Sequence, residues 1–352
     1  MKIGILYSDG KFTKQRKNKL MGKEMLYVQK ALRELGVHVD ILSVTNSEVA
    51  DVIIENSEQL NAYEKLILFS CTVNQWGGQL NEAQCLAYKF LHNYKGKIYC
   101  WFEDLREPLK QLTNVLRGRK FWEDAPMCSL EELVLPSDIK ILSMFNNQDI
   151  VRKAHKDIEI SDIYTIPIYK THVDGRKCNE PLFGRTVDLI YGGFGRSKKR
   201  NNFYIDYFIN RNKITTELYG TIKNKDLSGV NTKKCSLTEE VNYEEVLSKN
   251  ATALCTIIPA EEGYNNNCIT PRFIEALLSD TICFIENDFD IEHRIYGDNF
   301  FYCSSGDELE NKILQLKENY SFYIEKLKIQ QEVREKLLSA DLGKILFDAI
   351  SS

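Results

Sequence analysis

The feature that most constrains the fold is a repeated alternation of short apolar runs with helix-like segments. The apolar run Lys2–Tyr7 is followed by a helical stripe over Lys23–Gly36 and by a second apolar run over Val37–Val44. Such alternation is typical of β-α-β units, in which helices cover both faces of a parallel sheet. The pattern continues with strands predicted at Lys65–Ser70, Lys97–Glu103 and Ile139–Phe145, a helix at Asn81–Tyr94, and a helix after the last strand to about Lys156.

The alternation starts again after a polar stretch that contains proline and glycine, Thr171–Thr186. A chain of 352 residues is also longer than one hydrophobic core usually fills. We therefore predict an α/β protein of two Rossmann-like, doubly wound domains that face a central cleft, where ligands bind beyond the strand ends. The second half has predicted strands at Val187–Tyr191, Thr215–Tyr219, Ala251–Ile258, Thr281–Glu286 and Phe300–Cys303, and helices at Ser197–Ile209, at Pro271–Ser279 and from Asp307 almost to the end.

Composition excludes several classes of protein. The ten cysteines are scattered without a C-x-x-C pair and the five histidines are dispersed, so we predict reduced core thiols and no zinc site. No run approaches eighteen apolar residues, and the first residues lack the basic flank of a signal peptide. We expect a cytoplasmic protein without a membrane partner.

The net charge of −4 hides two basic segments. One is an acid-free run over Lys11–Lys23, and the other leads into Phe121 and Trp122. Either segment is ordinary solvated surface, or it binds phosphates through its local field. The candidate phosphate-binding residues are Lys14, Arg16, Arg117, Arg119 and Lys120.

The segment Val187–Arg200 has the composition of a phosphate-binding turn. Its apolar strand leads into Gly192, Gly193 and Gly195, and the following helix carries Arg196 and Arg200 one turn apart. Glycines let backbone N–H groups approach a phosphate, and the helix start and the arginines add positive charge. The spacing matches neither G-x-G-x-x-G nor the P-loop. A glycine turn with solvated basic residues is the alternative.

A second candidate lies in Gly263–Ser279. Pro271 suits the first turn of a helix, which places Arg272 and Glu275 three positions apart on one face. The arginine is suited to phosphate and the acid to ribose hydroxyls. An ordinary ion pair within the helix explains the same spacing.

Two acids are candidates for proton transfer. Asp104 follows the strand K-I-Y-C-W-F-E-D, and Glu24 starts the first helix at the same edge of the predicted sheet. Buried beside aromatic residues, Asp104 could serve as a general base, although an acid at a strand end is more often a cap. Asp288–Asp290 has the form of a D-x-D metal motif but no second acidic cluster, so we predict no protein metal site.

The segments Lys97–Pro108, Val187–Arg200, Tyr264–Glu275 and Phe289–Ile295 together resemble the T-even bacteriophage DNA β-glucosyltransferase family, nearly end to end. The resemblance implies a GT-B type fold with an acceptor (DNA) domain at 1–170, joined by a returning helix at about 337–352, and a donor domain at 171–336. It implies inverting transfer of glucose from UDP-glucose to the hydroxyl of 5-hydroxymethylcytosine in double-stranded phage DNA, a modification that evades restriction.

The resemblance also assigns roles to residues. Asp104 matches the catalytic base of the family and Glu24 its second active-site acid. Three arginines match residues on the diphosphate, Glu275 matches the acid on the ribose, and Tyr264 matches a donor-site tyrosine. The implied donor-binding residues are Gly193, Phe194, Arg196, Arg200, Gly220, Val241, Tyr264, Arg272 and Glu275.

DNA binding is implied in the same way. Asn74 and Trp76 match a loop that enters the duplex while the target base flips out, with phenylalanine in the family where Trp76 stands. A large planar side chain suits that role because it fills the gap in the base stack. The two basic segments are then candidates for binding the phosphates of the DNA backbone.

Three departures from the family leave some choices open. Phe194 replaces a serine, Pro271 replaces a leucine, and Tyr169 stands where the family has an acid. The sugar is therefore glucose or a pentose such as arabinose, and the acceptor base is hydroxymethylcytosine or hydroxymethyluracil. A transferase of this fold for a small-molecule or glycan acceptor is the alternative, and a sugar-nucleotide-binding protein without activity is another.

We expect the partners to be a UDP-sugar and double-stranded DNA with a 5-hydroxymethylated pyrimidine. Mg²⁺ or Mn²⁺ could help to neutralise the diphosphate without a protein cage. The predicted protein is a monomer in the cytoplasm of the infected bacterium.

Overall fold

The computed structural model describes residues 1–7, 23–44, 49–69, 90–91, 93–102, 139–144, 148–154, 160–173, 184–193, 198–220, 234–242, 245–260 and 268–352. The chain divides into two compact units. One comprises Met1–Thr171 and Asp341–Ser352, and the other His172–Ala340. The last segment belongs to the first unit, and the helix before it, which ends at Leu338, belongs to the second.

A parallel sheet forms the centre of the first unit. Its strands lie in the order β3-β2-β1-β4-β5-β6-β7, and each described pairing is parallel. The order runs outward in both directions from β1 and β4, which is the doubly wound arrangement. The strands are β1 (Lys2–Tyr7), β2 (His38–Ser43), β3 (Val52–Ile53), β4 (Lys65–Phe69), β5 (Lys97–Phe102), β6 (Ile139–Ser143) and β7 (Ile160–Thr165).

The first helix of this unit packs on the sheet through one apolar stripe. Met25, Val28 and Leu32 are fully buried, whereas Leu26 and Leu35, which the sequence placed in the same stripe, are exposed. Residues three and four apart share a helix face, so only the first three point inward. The described helices of this unit are α1 (Lys23–Glu34), α2 (Ser57–Leu60), α3 (Gln148–Ala154) and α9 (Leu342–Ser351).

Helix α9 is attached to the first sheet at the chain end. The hydroxyl of Tyr99 donates to the carbonyl oxygen of Ile350 at 3.0 Å, and Lys65 donates to the same oxygen. The hydroxyls of Tyr164 and Ser352 are 2.7 Å apart. The first two bonds satisfy the carbonyl group of Ile350, which the end of a helix leaves unpaired.

The second unit is built on another parallel sheet, with the strand order β10-β9-β8-β11-β12-β13. The order reverses between β8 and β11, and the carboxyl ends of these strands frame the place where such sheets bind ligands. The strands are β8 (Val187–Gly192), β9 (Thr216–Tyr219), β10 (Cys235–Thr238), β11 (Ala253–Ile258), β12 (Ile282–Glu286) and β13 (Tyr302–Cys303).

The helices of the second unit differ from prediction at two places. The predicted helix Ser197–Ile209 is helix α4 (Lys198–Tyr204) followed by a π-helical turn at Ile205–Ile209, whose last three residues are all buried. The predicted long C-terminal helix is three helices, because Asn319 and Asp341 cap new starts with their side chains. The remaining helices are α5 (Val246–Ala251), α6 (Pro271–Leu278), α7 (Gly306–Glu318) and α8 (Tyr320–Leu338).

The central strands of both sheets carry completely buried apolar residues. Ile3 and Ile5 of β1, and Cys255 and Ile257 of β11, are completely buried. The cysteines in the described ranges are unpaired and buried, as predicted, and burial raises the pKa of the Cys100 thiol to about 12. Among the described residues, no helix is long and apolar enough to cross a membrane.

The contact between α9 and α1 gives a test of the fold. A Cβ atom on Gly343 would lie 2.9 Å from the backbone oxygen of Ala31. Helix propensity alone predicts that Gly343→Ala stabilises by about 1 kcal/mol, but we expect overpacking to destabilise by about 1–3 kcal/mol. Thermal and urea unfolding measure the sign. The exposed neighbour Lys344→Ala is the control, and a stabilised Gly343→Ala would contradict the packing.

Candidate active site

A pocket of about 150 Å³ opens at the reversal point of the second sheet. It lies beyond the carboxyl ends of β8, β9 and β11, so parallel strands bring together residues that are far apart in the sequence. Five of the nine predicted donor-binding residues line it, namely Gly193, Gly220, Val241, Arg272 and Glu275. The other lining residues are Tyr191, Gly192, Tyr219, Glu240, Val246, Asn250, Thr256 and Ile258.

Two glycines form one edge of this pocket. They lie in the two backbone turns that follow β8 and β9, and these turns are in contact with each other. Gly220 has φ +118°, and a Cβ atom there would lie 2.3 Å from the backbone oxygen of Gly193. A Cβ atom on Gly193 would lie 2.7 Å from the Tyr191 ring and 2.8 Å from the Tyr204 hydroxyl. Only glycine fits at either position. The backbone therefore lines the pocket directly, which is the property predicted for a phosphate-binding turn.

Two arginines from different helices converge on one tyrosine. Arg200 of α4 and Arg272 of α6 each donate a guanidinium N–H to the hydroxyl oxygen of Tyr191 in β8. Their Cζ atoms lie 5.5 and 4.8 Å from the centre of the Tyr191 ring. The fold thus concentrates two positive charges beside the glycine turns.

Arg272 keeps its charge although it is half-buried. Burial disfavours the charged form, but Tyr191, Tyr219, Tyr204 and Glu275 outweigh that effect and raise the pKa of the guanidinium. Within the described part of the chain, Arg272 forms no ion pair with a carboxylate. A half-buried cation with hydroxyl neighbours is a suitable site for an anionic ligand.

Helix α6 places Arg272 and Glu275 on the pocket. Thr270 caps the helix by accepting a hydrogen bond from the N–H of Phe273 at 3.3 Å, and Pro271 takes the first helical position as predicted. Arg272 therefore lies in the first turn, where the helix dipole adds positive potential. Glu275 follows one turn later and is only 8% exposed.

Another part of the pocket lining combines polar and apolar groups. The Tyr219 hydroxyl donates to the side-chain oxygen of Asn250 at 3.1 Å, and burial together with the charge of Glu275 raises the pKa of Tyr219. Val241 packs against the buried cluster of Ile190, Tyr219 and Ala253. This part of the pocket can hold a flat, uncharged ring beside hydrogen-bonding groups.

Glu24 lies in the first turn of α1 and is half-buried, and the preceding strand β1 is at the reversal point of the first sheet. Asp104 comes two positions after the end of β5 and is itself outside the described residues. The other predicted site residues outside them are Phe194, Arg196, Tyr264, Asn74, Trp76, Lys14, Arg16, Arg117, Arg119 and Lys120.

The D-x-D segment has a structural role. Asp290 is buried, and its carboxylate accepts hydrogen bonds from the Tyr302 hydroxyl at 2.6 Å and from the N–H of Ile295 at 2.9 Å. Those bonds hold the turn after β12. Across the described ranges, no three His, Cys, Asp or Glu side chains are grouped as metal ligands.

Several pocket residues were not predicted from the sequence. Tyr191 and Tyr219 are the residues just before the glycines, and the sequence showed them only as ends of apolar strands. Asn250 precedes β11 in a segment without a motif. The signal that Tyr191 and Tyr219 share is a hydroxyl group at the carboxyl end of a parallel strand, whereas Asn250 lies in helix α5 and has no such signal.

Comparisons with known proteins identify relatives of this chain. A sequence model described as bacteriophage T4 β-glucosyltransferase matches residues 1–170. The chain is 32% identical to the DNA β-glucosyltransferase of Enterobacteria phage T4 over 319 residues, which is 89% of each protein. The structure matches T4 phage β-glucosyltransferase with UDP-glucose (TM-score 0.79) and with UDP and Mn²⁺ (TM-score 0.81), each at 28% identity and over all of both chains.

Two doubly wound units with an arginine-lined pocket at a reversal point define a glycosyltransferase of the GT-B fold. The chain belongs to the bacteriophage T4 β-glucosyltransferase family. The resemblance stated from sequence motifs and the predicted fold class are thereby confirmed.

The arginine pair makes a first prediction about the pocket. Arg272→Gln keeps a polar side chain but removes the charge, and losing a charge-assisted hydrogen bond to phosphate costs about 1.5–3 kcal/mol. We expect UDP affinity to fall accordingly while uridine affinity changes little. Calorimetry measures both. Arg294→Gln, at an exposed arginine of the same unit, is the control, and unchanged UDP affinity in Arg272→Gln would contradict the assignment.

Proposed function

We propose that this chain transfers a sugar from a UDP-sugar to the hydroxyl of 5-hydroxymethylcytosine in double-stranded DNA. The observation that carries the proposal is the convergence of Arg200 and Arg272 beside two obligatory glycines at the reversal point of a Rossmann-like sheet. The printed name of the phage T4 relative, DNA β-glucosyltransferase, supports both the sugar transfer and the DNA acceptor.

In this proposal the second unit binds the donor. The diphosphate lies between the glycine turns and the arginines, with Arg196 as a third cation. Glu275 accepts hydrogen bonds from the ribose hydroxyls, and the uracil lies toward Val241 and Asn250. Tyr264 and Phe194 are proposed to complete the donor site, and Phe194, which stands where the family has a serine, is proposed to affect which sugar is accepted.

The proposed reaction is a single displacement with inversion. Asp104 takes the proton of the hydroxymethyl group while the oxygen of that group forms a bond to the anomeric carbon. The bond from that carbon to the UDP oxygen breaks, and UDP leaves with the electron pair. The guanidinium groups stabilise the charge that develops on the diphosphate, and Glu24 assists beside the acceptor.

If Mg²⁺ or Mn²⁺ binds at this site, the phosphates of the bound UDP-sugar would hold it, and not a group of protein side chains. The described residues contain no group of three carboxylate, histidine or cysteine ligands, and Mg²⁺ is commonly held by substrate phosphates and water. A metal bound there would add positive charge beside the diphosphate. The arginines already supply such charge, so we expect part of the donor affinity to remain in EDTA.

The first unit is proposed to bind DNA. Asn74 and Trp76 enter the duplex at the flipped base, and Lys14, Arg16, Arg117, Arg119 and Lys120 contact the phosphates. Backbone contacts of this kind release counterions, so binding should weaken as salt rises although the net charge is −4. We also propose that the protein acts as a monomer in the cytoplasm of the infected host.

The role of Asp104 is tested by substitution. A general base typically contributes about 10²–10⁴-fold, so Asp104→Asn should slow transfer by that factor and leave UDP affinity nearly unchanged. Transfer is measured by the mass of nucleosides from hydroxymethylated DNA incubated with UDP-glucose, UDP-arabinose and other donors. Glu24→Gln is the comparison variant. Turnover of Asp104→Asn within tenfold of wild type would move the base to Glu24.

The role of Trp76 is tested by the form of the acceptor. Flipping a paired base costs a few kcal/mol, which a wedge partly offsets. Trp76→Ala should therefore slow transfer to duplex DNA more than to single-stranded or mismatched DNA, at several salt concentrations. An equal loss on all three acceptors would mean that Trp76 is a packing residue. Absence of duplex binding by the wild type at low salt would favour a small-molecule or glycan acceptor.

A further inference from the structure

Tyr191 has a position that neither the motifs nor the proposed mechanism uses. It is 2% exposed, and its ring packs edge-on against Phe203 at 5.3 Å and lies near Phe208. The ring is thus fixed by the core, while its hydroxyl oxygen accepts hydrogen bonds from Arg200 and Arg272. A rigid acceptor at the end of β8 therefore connects the two helices that carry the arginines.

The acceptor between the two arginines is a hydroxyl and not a carboxylate, and this difference determines the charge beside them. A tyrosine oxygen has two lone pairs, which match the two guanidinium donors, and a hydroxyl adds no negative charge of its own beside them. A carboxylate at the same place would hold the arginines equally well, but it would neutralise them and repel a diphosphate. The hydroxyl of Tyr191 therefore orients the two guanidinium groups without placing a negative charge beside them.

A structural arginine in the same unit is arranged differently. Arg211 is 4% exposed and is surrounded by acids, with its guanidinium 2.6 Å from Asp307, 3.8 Å from Asp206 and 4.0 Å from Glu310. Carboxylates neutralise that buried charge permanently. Arg272 instead donates to a hydroxyl, and the charge of Glu275 acts on it without an ion pair between the two side chains, so Arg272 can still attract an anion.

We propose that Tyr191 is a positioning residue that aims Arg200 and Arg272 at the diphosphate of the donor. It acts through the arginines and not on the reacting atoms. The inference rests on the proposed function, because it takes a nucleoside diphosphate as the ligand of the pocket. It adds a residue whose hydroxyl affects phosphate affinity without touching the nucleoside.

The test is Tyr191→Phe, which keeps the ring in the core and removes only the oxygen. Affinities for uridine, UMP and UDP are measured by calorimetry, and unfolding is followed in parallel. Losing an acceptor of charged donors should weaken UDP binding by about tenfold, uridine binding by less than about twofold, and UMP binding by an intermediate factor. In transfer assays the KM for the UDP-sugar should rise more than kcat falls.

The control is Tyr323→Phe, at another buried tyrosine of this unit whose hydroxyl has no partner among the described atoms. It should change none of the three affinities. In an Arg272→Gln background, Tyr191→Phe should weaken UDP binding by a smaller factor than in the wild type, because residues that act together are not additive.

The outcomes separate two failures. If wild-type protein binds no UDP, the proposed function itself is wrong. If wild type binds UDP and Tyr191→Phe binds it equally well, only the positioning role is overturned. An equal loss for uridine and UDP, or full additivity with Arg272→Gln, would show that Tyr191 supports the core of the pocket and does not aim the arginines.

Discussion

The pocket of the second unit depends on the contact between two backbone turns at Gly193 and Gly220. Gly220 adopts φ +118° against the backbone oxygen of Gly193, and on its other side Gly193 meets Tyr191 and Tyr204 without room for a side chain. The turns after β8 and β9 are therefore locked together. Because Tyr191 is packed against the same glycine, the oxygen that receives both arginines has a fixed place relative to the backbone that lines the pocket.

The alternation of apolar runs and helical stripes was sufficient to predict this architecture. The central strands were predicted to within two residues, because parallel strands buried on both faces are continuous apolar runs. β3 has only two residues, and β7 carries exposed polar residues, so neither has that pattern. The π-helical turn after α4 was also missed, because periodicity cannot distinguish a wide turn from an α-helix.

Site residues could be predicted from the sequence where the backbone conformation requires a glycine or where binding requires a charged side chain. Gly193, Gly220, Arg272 and Glu275 were named from glycine turns, a helix start and the family motifs, and the structure brings them to one pocket. Tyr191 was not predictable, because its role comes from contacts with residues 9 and 81 positions away in the chain. In a strand a buried tyrosine has the same pattern as any core aromatic residue.

The departures from the family motifs do not have equal weight. Pro271 follows the cap Thr270 and takes the first helical position, where proline is favoured, so Arg272 keeps its place in the first turn. Tyr169 is half-buried, and burial raises its pKa, so it is a neutral phenol. A phenol donates and accepts hydrogen bonds, whereas an ionised acid only accepts them. We therefore expect any difference in substrate choice at Tyr169 and Phe194, whereas Pro271 leaves the predicted phosphate-binding residue Arg272 in its place.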